Sequence, residues 1–230
     1  MINVLITGAN RGLGLGFVKK YLEKNVHVLC TTRDISGSKE LLECKERYPN
    51  NIEIFELDLL KENGAKTLAN QLNGMPIDIL INNAGVGSSN QHFEAVSSKP
   101  WLEVLKVNLI APLIITQSLI ENIKKSSVKK INFLSSQLGS IEDNKSGGMY
   151  IYRSSKSGLN QVVKSLSIDL KAYGITVVSL HPGWVKTDMG GANAPVSIDE
   201  SVEGMIRVIE TTDIADTGKF LNFHGRELPW

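Results

Sequence analysis

Tyr152 and Lys156 lie four residues apart, a spacing that sets two side chains on one face of a helix. A phenol with an ordinary pKa near about 10 is a poor acid at neutral pH, and a neighbouring ammonium stabilises the phenolate and pulls that value down. The pair reads as a proton donor with its tuner. The same spacing also describes an ordinary half-exposed helix face, so its meaning depends on what stands around it.

A second group of residues supplies a ligand for that chemistry. The run Thr7-Gly8-Ala9-Asn10-Arg11-Gly12-Leu13-Gly14 follows a β-branched segment and leads into a helical pattern. Gly8 permits a sharp turn out of a strand, Gly12 lets the backbone approach a diphosphate, and Gly14 allows the helix to pack closely on the sheet. The helix N-terminus then faces an anion. The next strand ends Thr31-Thr32-Arg33-Asp34. An acidic residue at that point binds the ribose hydroxyls of NAD and repels a 2′-phosphate. Arg33 instead offers a planar fork to a phosphate, and Arg11 can close from the other side. NADP(H) is therefore favoured over NAD(H), although Asp34 argues for NAD if the strand runs one residue further.

The elements that position these groups alternate along the chain. Strands are expected over 2–7, 26–32, 52–57, 77–82, 130–135, 175–180 and 219–223, and helices over 12–24, 61–72, 99–124, 150–172 and 197–211. Near-continuous apolar strands joined by helices imply parallel pairing with both faces covered. The expected architecture is α/β, a single-domain doubly wound Rossmann fold with a seven-stranded parallel sheet over 1–230. Ser197-Ile198-Asp199-Glu200 is a capping box at the start of the last helix. Pro112 is expected to split the long central pattern, because a helix interior tolerates its missing donor poorly.

Composition narrows the partners. A net charge of +1 with 21% charged residues leaves no basic field for a nucleic acid or an anionic membrane, so a small molecule is the expected partner. The chain opens on a strand with neither a basic stretch nor a cleavage site, and its apolar runs read as too short to span a bilayer. A cytoplasmic location is expected. Cys30 and Cys44 lack metal or redox spacing and the four histidines are scattered, so no metal centre is expected.

Four further segments, with the glycine loop, resemble the short-chain dehydrogenase/reductase family along essentially the whole chain. They are Asn82-Asn83-Ala84-Gly85, Ser135-Ser136, Tyr152-Arg153-Ser154-Ser155-Lys156 and His181-Pro182-Gly183-Trp184-Val185-Lys186-Thr187. The resemblance implies that Ser136 polarises a carbonyl, that Tyr152 donates its proton as hydride arrives, and that Lys156 holds the nicotinamide ribose and lowers the Tyr152 pKa. It further implies that Asn108, in a helix bulge holding a water, links Lys156 to solvent. For the cofactor it implies contacts from Gly8, Asn10, Arg11, Gly12, Leu13, Arg33, Asp58, Leu59, Asn83, Ala84, Gly85, Tyr152, Lys156, Pro182, Gly183, Val185 and Thr187.

One departure is the separation of Ser136 from Tyr152, longer than the family usually shows. It reads as a loop insertion. Ser140 fits the usual separation better but lies beyond the strand end, and Ser135 should point to the opposite face by strand alternation; Ser136 is preferred. Tyr150 is excluded as the reacting phenol because Ser154, not Lys, lies four residues on. A short substrate-binding region at about 184–200 implies an open site, with Gln137, Leu138, Tyr150, Trp184 and Met189 as its lining. The loop 137–149 and the run Glu227-Leu228-Pro229-Trp230 resemble the subgroup of sniffer-type carbonyl reductases and C-factor-like proteins. The expected activity is NADPH-dependent reduction of small aldehydes, ketones or quinones; the rival is a dinucleotide-binding signalling or regulatory protein with little turnover. The resemblance also implies a homodimer or homotetramer, and Leu109, Ile110, Leu113 and Ile114 with Leu159, Val162 and Val163 exceed one apolar stripe.

Overall fold

A computed structural model describes residues 1–230. Strand β1 (Asn3–Ile6) feeds helix α1 (Gly12–Glu23), followed by β2 (His27–Thr32), α2 (Lys39–Arg47), β3 (Ile52–Glu56), α3 (Gly64–Gln71) and β4 (Ile79–Asn82). The second half runs α4 (Ser98–Leu105), α5 (Ala111–Lys124), β5 (Lys130–Leu134), α6 (Tyr150–Asp169), β6 (Thr176–His181), α7 (Ile198–Thr211) and β7 (Phe220–Asn222). All seven strands pair in parallel, in the order β3-β2-β1-β4-β5-β6-β7. This is the doubly wound sheet expected from the sequence.

Strand alternation divides the core into two layers. Val4, Ile6, Val28 and Cys30 face one side, where Phe17 and Tyr21 of α1 and Met205 and Ile209 of α7 cover them. Leu5, Leu29, Leu80 and Phe133 face the other, against Leu68, Ile115, Leu119 and Leu159 from α3, α5 and α6. The strand order reverses between β1 and β4, where the crevice at the carboxyl ends of a doubly wound sheet binds ligands. The glycine loop leaves β1 at that crevice.

Three expectations are corrected. Pro112 does not split the central helix: Ser98–Lys124 is continuous over 27 residues, and a π-helical turn at Lys106–Ile110 absorbs the strain. The Ala111 N–H reaches back five residues to the Lys106 carbonyl, and Pro112, having no N–H, leaves the Asn108 carbonyl without its α-helical donor. The same helix has a window of mean hydropathy 1.4, so by length and composition it is not too short to cross a bilayer. Its inner side, Ile115, Leu119 and Ile123, lies in the core. Of the predicted capping box only one half forms: the Ser197 hydroxyl accepts from the Glu200 N–H at 3.1 Å, while the Glu200 side chain stays in solvent.

Candidate active site

Backbone fit builds the first wall. Gly8 has φ +65°, and a Cβ there would stand 2.9 Å from the Ala84 Cα; a Cβ on Gly14 would run into the Gly8 carbonyl oxygen. Asn83 braces the loop, its Nδ2 donating to the carbonyls of Thr7 at 2.7 Å and Gly8 at 3.0 Å. The Thr7 hydroxyl accepts the N–H groups of Asn83 and Ala84, both at 3.1 Å. Helix α1 begins with no side-chain cap and no acidic residue in its first turn, so its free N–H groups are open to an anion. Asn10 is half-buried in the loop, and Leu13 packs on the core beneath it. The residues present fit a dinucleotide diphosphate.

Farther along this wall, β2 ends at Thr32. The Asp34 carboxylate turns into its own loop, accepting from the Ser36 hydroxyl at 2.7 Å and the Gly37 N–H at 3.0 Å. These bonds hold its pKa below the usual value. Arg33 is exposed and forms no ion pair. Arg11 is engaged, donating to Asp188 at 2.6 Å across the mouth of the cleft. Asp58 accepts from the Leu60 N–H at 3.0 Å, and Leu59 packs on the second core layer.

Tyr152 and Lys156 sit on the first turns of α6, the Lys156 Nζ 5.7 Å from the phenol ring centroid. Lys156 is 4% exposed and donates to the Leu134 carbonyl at 2.8 Å; burial alone pushes its pKa down to about 8. Burial also raises the Tyr152 pKa, with a hydrogen bond from Ser136 opposing the rise. The expected lowering by the ammonium is thus not the governing effect in the chain by itself: desolvation of the phenolate is larger. The three serine candidates separate cleanly. Ser135 donates to Asn160 at 2.7 Å and Ser140 to the Trp230 carbonyl at 3.0 Å, so both hydroxyl protons are committed elsewhere, whereas Ser136 only accepts, from the Leu138 N–H at 3.2 Å, and acts on the phenol.

Asn108 is fully buried in the π-helical turn. Its side chain accepts from the Val86 N–H and donates to the Val86 carbonyl, both at 2.9 Å, and reaches the Ser155 hydroxyl at 3.1 Å. It makes no direct bond to Lys156. A Cβ on Gly85 would lie 3.5 Å from the Asn108 Oδ1 and 3.7 Å from the Lys156 Nζ, so Gly85 marks the gap between them.

After β6, Gly183 adopts φ +85° against Phe223, and the Pro182 carbonyl accepts from Ser201 at 2.6 Å. Val185 is buried and bridges Val196, closing a short loop that lays Thr187 over Gly12, its Cγ2 3.6 Å from a Cβ built there. Trp184 and Met189 remain more than half exposed, at 57% and 53%.

The sequence assigns no bracing role to three residues that fix the other wall. Gln91 bonds the first turn of α6, Arg153 donates to the Leu138 carbonyl and the Ser146 hydroxyl, and the Trp230 carbonyl accepts from the backbone of Ile141 and Glu142. The one available signal was the missing N-cap: no Ser, Thr, Asp or Asn stands immediately before Tyr150.

The family model for short chain dehydrogenases matches residues 3–196. The carbonyl reductase Sniffer of D. melanogaster is similar over 100% of both chains, with 37% identity and a TM-score of 0.95. An NADPH-bound carbonyl reductase from chicken fatty liver is 38% identical over 99% of this chain and 98% of that one, with a TM-score of 0.93. The C-signal protein of Myxococcus xanthus is 38% identical over 155 residues, 67% of this chain and 93% of that protein.

Proposed function

The chain belongs to the short chain dehydrogenase family, and from that premise we propose that it is an NADPH-dependent carbonyl reductase acting on small aldehydes, ketones or quinones. The observation that carries the reading is the Tyr152 phenol set between the Ser136 hydroxyl, which opposes the rise in its pKa, and the buried Lys156, whose Nζ lies 5.7 Å from the ring centroid, at the crevice where the glycine loop opens. A bound nicotinamide dinucleotide supplies the hydride. The hydroxyls of Ser136 and Tyr152 hold and polarise the carbonyl oxygen, and Tyr152 passes its proton to that oxygen as the carbon is reduced. Lys156, still largely charged at neutral pH with a pKa of about 8, lowers the cost of the phenolate left behind and clamps the ribose. The Asn108 carbonyl, freed by Pro112, is the acceptor through which water returns a proton to this pair.

NADP(H) is favoured because Arg33 is unpaired while Asp34 is bound into its own turn, and because one carbonyl reductase among the similar structures is NADPH-bound and another is in complex with NADP. A cytoplasmic location is supported by two buried cysteines left unbridged. Assembly into a homodimer or homotetramer is supported by the exposed Leu102, Ile110 and Ile114 on the central helix, and light scattering tests it. The likeness to the C-signal protein keeps the dinucleotide-binding signalling reading as the rival. The deciding experiment compares wild type with Tyr152→Phe, using NADPH and NADH on one carbonyl panel. Turnover that prefers NADPH and falls by about 10³-fold in the variant, with cofactor binding kept, supports the proposal. Binding without turnover by the wild type supports the rival, and equal rates in the two proteins refute the role of Tyr152.

A further inference from the structure

Helix α6 carries Tyr152 and Lys156 but has no cap of its own. The residue before it, Met149, is held at φ 50° and offers no side-chain acceptor, and Gly147 and Gly148 before it are also left-handed. The first N–H groups of a helix need partners, and the usual partner is a Ser, Thr, Asp or Asn oxygen bonding the third residue. Here both acceptors come from one residue, 61 positions earlier in the chain for the side-chain bond. The Gln91 Oε1 accepts from the Tyr152 N–H at 2.8 Å, and the Gln91 carbonyl accepts from the Tyr150 N–H at 3.2 Å. The Gln91 amide nitrogen donates to the Ser88 carbonyl at 2.6 Å, which fixes which end of the side chain faces the helix. Phe93 then lies against Tyr150, ring centroids 6.2 Å apart.

We infer that Gln91 is a positioning residue for the proton donor: it is the N-cap of the catalytic helix, supplied by the loop after Gly85, and the residue whose amide it holds is Tyr152 itself. The inference rests on the reading of Tyr152 as the acid. The loop bearing Gln91 also carries Val86, which is bonded to Asn108, so one segment braces both the donor and its relay. Lys156 is the ionisable group facing the phenol from α6, and Ser136 is the polar group facing it from the loop after β5. A charge placed at position 91 therefore adds a new field at the backbone of the residue that carries the ring.

The test uses Gln91→Leu, which removes the acceptor at similar size, and Gln91→Glu, which keeps the acceptor for Tyr152 but loses the donor to the Ser88 carbonyl and adds a negative charge, with Tyr152→Phe as control. Gln91→Leu is expected to lower kcat about ten-fold, the factor that matches the loss of one helix cap, with KM for NADPH within about two-fold. Gln91→Glu is expected to restore kcat to within about three-fold of wild type. It should also move the basic limb of the kcat–pH profile upward, because the carboxylate opposes ionisation of the phenol. A merely structural contact would change melting temperature without moving that limb. Unchanged kcat in Gln91→Leu beside an inactive Tyr152→Phe overturns the inference alone, and an active Tyr152→Phe overturns the reading beneath it. If Gln91→Leu does not fold, an unmoved basic limb in Gln91→Glu overturns the inference.

Discussion

Where β1 meets β4, the cleft is walled by backbone: Gly8 lies against Ala84 with no room for a side chain, and Asn83 stitches the glycine loop to its neighbour. Where α6 begins, the wall is held by side chains and carbonyls, reaching over long separations from Gln91 and Trp230 and over a short one from Arg153. The first construction is all-or-none, since any added atom displaces main chain. The second is graded, since each bond can be lost while the others persist. A cofactor common to many reactions suits the rigid wall, and a substrate that varies suits the adjustable one.

The sharpest way to break this contrast is Gly14→Ala, whose Cβ would meet the Gly8 carbonyl oxygen. It should cost more than about 3 kcal/mol of stability and abolish dinucleotide binding, read by calorimetric titration; near-normal binding would show that the wall yields. Next is Lys156, at the junction of the two walls, whose pKa falls from 10.5 to about 8 through burial. Below that value the folded chain must hold a buried charge. Between about pH 8 and 10.5 the unfolded state binds more protons, so stability rises with pH, by about 3 kcal/mol in all. Lys156→Met should flatten that rise in denaturant titrations across the window.

Smaller effects belong to the adjustable wall. Trp230→Ala removes the stack on Phe220, whose centroids lie 5.5 Å apart, while leaving the backbone acceptor for Ile141 and Glu142. A loss of about 2 kcal/mol for this half-buried ring lowers the melting temperature by about 4–8 °C. Arg11→Ala breaks an ion pair whose side chains are 69% and 80% exposed, so the melting temperature should shift by less than about 2 °C.

The same contrast governs what could be read from the chain. Glycines at Gly8, Gly12 and Gly14 and the run Asn82 to Gly85 act through the absence or shape of local side chains, and that is written locally. Tyr152 and Lys156 are legible for the same reason, being one helical turn apart. Gln91 acts on a helix 61 residues downstream, and nothing near Gln91 or near Tyr152 names the other. The direction of the Tyr152 pKa was also hidden: spacing shows the neighbouring ammonium, whereas burial, which outweighs it, depends on the folded surroundings. The helix runs through Pro112 because the residue's local penalty is offset in part by a turn that local sequence does not announce.

That proline and its π-helical turn have an evolutionary consequence. In a regular helix, proline costs about 3 kcal/mol, so each half of the pair is harmful or pointless without the other. Such couples are epistatic. The turn has to precede or accompany the proline, and reversion of either one alone meets a chain already adapted to both. Redesign guided by stability would favour Pro112→Ala, which lets the helix tighten into uniform α geometry. The gain would rotate Val104 and Asn108 about one residue out of phase with Ile115 and Leu119, a more stable helix at the expense of the buried π-helical turn that holds Asn108.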